Sequence, residues 1–255
     1  MRSIHIDHGN PMNALLDTPF TQAMKSLGTT LIWVKAIIIL SAHNITEGKT
    51  LEISTHPHPL VIYDMYGFPP ELYRVVYNVN TEKSIAEETT KILTESWIQN
   101  RFNPEKGIDH GIWSVLIHLF PEGNIPIVPI SVVYDAPVLF HYTLGKVLSE
   151  KFGNDILFIS SGNIVHNLRL IDWSEKLIAP WAHDFDQGIY TLTETGNTFW
   201  VLDYRNISGA SLAVPTPDHF FPFVSFMGAS EWKSIVSMFS GFELGNISTR
   251  IYKNF

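Results

Sequence analysis

Three histidines follow closely on short apolar runs. His8 comes just after "SIHI" (residues 3–6). His43 follows "AIIIL" (36–40) through Ser41 and Ala42, and His166 follows "DILFIS" (155–160) through Gly162 and Asn163. Imidazole is the commonest side-chain metal ligand, and its ordinary pKa lies near neutrality. Histidines gathered in one place can therefore hold a cation or move a proton. A lone histidine after a strand is ordinarily a satisfied polar residue or a helix cap, but three in equivalent positions form a pattern. The chain has no cysteine, which removes disulfides and thiolate ligands. Any metal must take His, Asp, Glu or backbone oxygen.

The remaining histidines differ in context. His110 lies in "DHGIWSVL", ahead of a helix-like run, and His219 lies in "VPTPDHFFPF", where Thr, Pro and Asp read as a helix start. His5 alternates with Ile4 and Ile6 and packs within a strand. His56 and His58 read as loop residues; His118, His141 and His183 read as surface or core fillers.

The elements that would position these side chains alternate. Strands are expected at 3–6, 36–40, 125–133 and 155–160, and "FWVLDY" (199–204) reads as a strand or a short helix. Helices are expected over 18–28, 81–97 and 135–153. Such alternation predicts an α/β sheet with helices on both faces. Ligands of open α/β sheets bind beyond the carboxyl ends of the strands, so parallel strands would bring His8, His43 and His166 to one rim. No repeat or linker-like stretch interrupts the chain, and residues 1–255 read as one domain.

Bulk properties narrow the class further. The 255 residues are 45% hydrophobic and 13% aromatic, which is ample for a core, and the net charge is -8. That balance gives no basic footprint for nucleic acid or an anionic membrane surface. The longest apolar run, "LIWVKAIIIL", is too short for a membrane span and contains Lys35. The opening "MRSIHIDHG" lacks the apolar stretch of a secretory signal. A soluble cytoplasmic protein is expected.

Six segments occur in order: "HGNPMNAL" (8–15), "LSAH" (40–43), "YGFPPELY" (66–73), "DHGIWSVL" (109–116), "GNIVHNLR" (162–169) and "PTPDHFFP" (215–222). Together they resemble the class III extradiol ring-cleaving dioxygenases, specifically the 4,5-DOPA extradiol dioxygenase branch of the LigB-like superfamily. The resemblance covers residues 4–230. It implies one three-layer α/β catalytic domain, with a mostly parallel or mixed sheet, binding one non-haem metal. By resemblance, His8, His43 and His219 match metal ligands. His166 matches the acid–base histidine, which the resemblance also places among the metal ligands of this branch; His110 matches a second catalytic histidine near the substrate hydroxyl or oxygen. Two departures stand out. Asn44 replaces an aromatic residue that often follows "SAH", and Asp7 sits where an apolar residue and glycine are usual, placed to support His8.

The chemistry implied is cleavage of a catechol, DOPA-like, by O2 to a muconic semialdehyde. Fe(II) would serve turnover, and the all-histidine set would also accept Zn(II). His166 would take a proton from one hydroxyl, and His166 or His110 would return one as the O–O bond breaks. Tyr66, Trp113, Asn167 and Arg169 are the expected substrate-binding residues, with Phe68 and Phe220 beside them; Arg169 or Asn167 would meet a carboxylate. Two other readings fit the same residues: a zinc hydrolase built on His8, His43 and His219, though without an HExxH helix, and a non-catalytic interaction protein that keeps the fold.

Overall fold

The computed structural model describes residues 1–174 and 177–255. Strands and helices alternate from β1 (Arg2–Asp7) through α1 (Pro19–Gly28), β2 (Ala36–Thr46), β3 (Leu51–Ser54), α2 (Lys83–Glu95), β4 (Asn100–Asn103) and α3 (His110–Leu119). They continue with β5 (Ile127–Val133), α4 (Val138–Lys151), β6 (Ile156–Gly162), α5 (Pro180–Thr193), α6 (Ala210–Ala213) and α7 (Phe221–Ala229). The chain closes with β7 (Val236–Phe239), β8 (Phe242–Glu243), β9 (Ile247–Ser248) and β10 (Ile251–Lys253).

One mixed sheet of eight strands runs β4-β3-β5-β2-β6-β1-β10-β7. Its centre, β5-β2-β6-β1, is parallel. Parallel strands are covered on both faces, which is why β2 and β6 read as continuous apolar runs rather than alternating ones. Successive side chains still point to opposite faces. Ile37 and Ile39 of β2, with Ile4, Ile6 and Ile159, pack under α1 and α3. Ile38 and Leu40, with Phe158, pack under α4 and α7. The result is a helix–sheet–helix sandwich. α7 is apolar all round and buried at every position, as a helix enclosed by its neighbours must be.

Each expected strand and helix is present, with shifted ends. Strand 36–40 proved longer: β2 continues to Thr46, and its register against β5 jumps from Ser41↔Ser131 to Ile45↔Val132. The extra residues bulge out of the ladder and carry His43 toward the rim, a usual role for bulges beside functional sites. Residues 199–204 take the short-helix alternative, within a 3-10 helix over Thr198–Asn206 that kinks at Asp203. The outer strands β3 and β10 and the edge strands β4 and β7 lacked a sequence signal because they are short. β4, "NRFN", has no buried position at all. Among the described residues, no helix is long and apolar enough to cross a membrane.

Candidate active site

The carboxyl ends of β1, β6 and β2 lie side by side, and the histidines gather there. His8 directly follows β1, and its backbone N–H donates to Gly162 O at the end of β6 (2.9 Å). His219 sits in the turn before α7. Its carbonyl accepts from the Asn163 N–H (2.9 Å), which ties that turn to the same strand end. His110 opens α3, and His166 lies in the loop after β6 with its N–H on Ala213 O (2.9 Å).

Each of four rings is fixed through Nδ1. Ser161 Oγ donates to Gly111 O (2.6 Å), so it accepts from His8 Nδ1–H at 2.9 Å. Asp218 Oδ2 accepts from His219 Nδ1–H at 2.7 Å. Asp64 serves two rings: Oδ2 faces His43 Nδ1 at 3.2 Å and Oδ1 faces His110 Nδ1 at 3.0 Å. An acceptor at Nδ1 selects the tautomer that leaves a lone pair on Nε2.

Those lone pairs face one another. His43 Nε2 lies 3.3 Å from His8 Nε2 and 3.2 Å from His219 Nε2. With every Nδ1 protonated, none of the three has a proton to donate, so the contacts are repulsive without a cation between them. Imidazole nitrogens bound about 2.0–2.1 Å from one ion stand roughly 3.0–3.4 Å apart, and both separations fit. One ligand nitrogen from each of His8, His43 and His110 also falls within 4.8 Å of the others. The donor set thus suits a divalent metal.

Electrostatics keep the site ready for a cation. Burial, then the neighbouring imidazoles, pull His8 and His166 well below the ordinary histidine pKa. Burial lowers His219 to about 4 against the opposing pull of Asp218. Burial likewise lowers His110, although Asp64 opposes it. Burial alone would raise Asp64, but hydrogen bonds from His110 and His43 outweigh it and hold the carboxylate ionised well below its usual range. These shifts all favour the neutral form of the four imidazoles. His166 is held differently. Its ring stacks on His219, with centroids 3.6 Å apart and planes 4° from parallel, and takes no hydrogen bond from the described residues.

The five histidines line a cavity of about 390 Å³, with Asp64, Tyr66 and Phe68 also in its wall. Other expected site residues lie elsewhere. Trp113 is fully buried under the sheet and donates Nε1–H to Ile62 O (3.1 Å), so it is a core residue. Phe220 is likewise fully buried, packed on Tyr204. Asn167 is buried and spends its side chain on the loop, donating to Leu212 O (2.8 Å) and accepting from the Arg169 N–H (3.1 Å). Arg169 is exposed and does not line the cavity. Asp7 does not reach His8: strand alternation puts it on the His5 side, where Oδ1 accepts from His5 Nε2 (2.8 Å) and the Ile164 N–H (3.0 Å). Asn44 is buried beside His43, its Oδ1 without a partner among the described residues.

Sequence reasoning missed the supporting acids. Asp218 directly precedes His219, and Asp64 stands two residues before "YGFPPELY". A carboxylate close to a conspicuous motif was the available signal.

A mixed α/β sheet with imidazoles clustered at its carboxyl rim defines a metal-dependent enzyme scaffold. Residues 11–252 match the model of the catalytic LigB subunit of aromatic ring-opening dioxygenase, and the chain belongs to that family. It is similar to the 4,5-DOPA dioxygenase extradiol of Escherichia coli K12, 30% identical over 266 residues that cover 97% of this chain and 92% of the relative. The enzyme of the same name from Beta vulgaris is 30% identical over 88% of this chain and 85% of its own. The crystal structure of an uncharacterized Escherichia coli K12 protein superposes with a TM-score of 0.84 at 27% identity, covering 100% of both chains. The chain is an extradiol ring-opening dioxygenase, an oxidoreductase acting on a small molecule with O2. Neither of these named relatives is described as a hydrolase or an interaction protein.

Proposed function

We propose that this enzyme opens the ring of a catechol with O2 to give a muconic semialdehyde, at one metal ion held by His8, His43 and His219. Fe(II) is the ion of turnover, Zn(II) is accepted by the same imidazoles, and the protein works in the cytoplasm. The supporting observation is the set of Nε2 lone pairs turned toward His43 Nε2 at 3.2 and 3.3 Å, each ring anchored behind by an acid or a hydroxyl. When bound, the ion supplies a Lewis-acidic centre where a diol and dioxygen meet.

The chain's own residues do the rest. A neutral ligand set leaves the positive charge uncompensated, which favours a catecholate. His166, in the cavity wall and lowered in pKa, accepts a proton from the catechol hydroxyl at its ring nitrogen and returns it later. Its face-to-face packing on His219 sets the ring's plane beside the ligand. His110, its Nδ1–H committed to Asp64, presents Nε2 as a second proton-handling atom. DOPA is the substrate named for the relatives, and a DOPA-like catechol is the starting point for assay.

The test is anaerobic loading with Fe(II), then oxygen uptake and semialdehyde absorbance across a catechol panel. Stoichiometric uptake with a yellow product is expected. Iron-loaded protein that consumes no oxygen with any catechol would refute the reading.

A further inference from the structure

The cavity lining is of two kinds. The histidines and Asp64 are the polar part. The apolar part is Phe68, Leu168, Ile171, Trp173, Leu244 and Ile247. Among the described residues, no lysine or arginine lines it. Arg169, beside Leu168 in sequence, faces solvent. Asn10 also reaches the cavity; its side-chain oxygen accepts from the Met12 N–H (2.9 Å), which leaves one amide N–H₂ group as a neutral donor there.

A carboxylate that leaves water needs a cation or several N–H donors in return. Among the described residues, the lining offers no Lys or Arg cation and the single side-chain amide of Asn10. Meanwhile Tyr66, Leu168 and Trp173 stand 92%, 62% and 75% exposed at the cavity. Large apolar side chains left open to water around a concave site mark where a ligand makes contact.

We infer that the preferred substrate is a catechol bearing a neutral, apolar ring substituent rather than a charged amino-acid side chain, with Leu168 and Trp173 as the specificity-determining residues. The inference rests on the catechol reading of the same site. The diol end is set by the histidines, and the substituent end lies along Leu168, Ile171 and Trp173. Burying an alkyl chain there gains affinity in proportion to the area removed from water. A zwitterionic tail gains nothing from that wall and loses hydration.

The test compares catechol, 4-propylcatechol and L-DOPA in two ways. Anaerobic calorimetry on the Fe(II)-loaded protein gives Kd, and oxygenated turnover gives kcat/KM. Wild-type protein should bind 4-propylcatechol about tenfold or more tighter than L-DOPA and than catechol. Trp173→Ala should bring 4-propylcatechol to within roughly threefold of catechol. Leu168→Arg, at a position open to solvent, should shift the Kd ratio toward L-DOPA by about tenfold. L-DOPA binding as tightly as 4-propylcatechol to wild-type protein overturns the inference, as does a preference that survives Trp173→Ala intact. If catechol is opened but the propyl chain brings no advantage, the inference alone fails. If no catechol binds or consumes oxygen, the catechol reading fails and takes the inference with it.

Discussion

Asp64 grips His110 twice: its Oδ1 accepts from both the backbone N–H and the ring Nδ1–H, each at 3.0 Å. The other oxygen of the same carboxylate meets His43 Nδ1 at 3.2 Å. One acid thus fixes the tautomers of His43, a proposed metal ligand, and of its neighbour His110, whose ring centroids are 3.9 Å apart. Asp64→Asn keeps the shape but turns an N–H₂ toward one Nδ1–H. Metal affinity should fall about 10- to 100-fold, as it does when outer partners of ligating histidines are removed. Competition against a chelator measures this, and wild-type affinity in Asp64→Asn would show that the shared carboxylate does not set the tautomers.

His166 and His8 should separate chemistry from metal binding. His166→Ala should slow turnover by about 10² to 10⁴ while the protein keeps its metal. His8→Ala should lose the metal itself. Metal content after gel filtration, read beside kcat, distinguishes them; loss of metal from His166→Ala equal to that from His8→Ala would make His166 a ligand.

Gly162 lets β6 pass against the turn that carries His219. A Cβ there would run into the His219 carbonyl and stand 3.1 Å from Pro222 Cγ. Because that carbonyl also accepts from Asn163 N–H, it cannot move freely. Gly162→Ala should therefore cost about 1–3 kcal/mol in stability and weaken metal binding together. Chemical denaturation and metal titration of the same preparation check it; a stable variant with undiminished metal affinity would contradict the close approach.

His141 provides a pH signature away from the metal. It is buried on α4, stacked on Phe221 at 4.0 Å, with Nε2–H on Val133 O (3.1 Å) and Nδ1 unpartnered among the described residues. Burial pulls its pKa down to about 3. The folded value lies below the unfolded value of about 6.5, so the unfolded chain binds the extra proton between those limits. Above pH 6.5 the group contributes no pH dependence. As pH falls through that window toward 3, stability is lost at up to about 1.4 kcal/mol per pH unit. His141→Gln should flatten that slope, measured as urea midpoints from pH 7 to 5. Parallel slopes in both proteins would rule His141 out as the source.

Much of this was legible in the sequence, for physical reasons. The runs of β2 and β6 are apolar because both faces are covered, so they announced themselves and fixed where His43 and His166 must emerge. His8 followed from β1 in the same way. What escaped notice depends on long-range contact. Asp64 reaches His43 and His110 from an extended loop, and a single aspartate in a loop has no periodicity to reveal it. Arg169 and Asn167 sit beside His166 in sequence, yet the 3-10 turn at Leu168–Leu170 points one outward and folds the other into the loop. Trp113 shares a motif and a helix face with His110, its ring centroid 6.5 Å away, but it is fully buried with its N–H spent on Ile62 O.

The decisive measurement is the anomalous difference map of Fe(II)-loaded crystals grown anaerobically, collected at the iron edge. One peak is expected about 2.0–2.3 Å from the Nε2 atoms of His8, His43 and His219, with His110 and His166 standing off. A peak held instead by His8, His43 and His110 with His219 turned away, or no peak at the rim at all, would contradict the assigned metal centre.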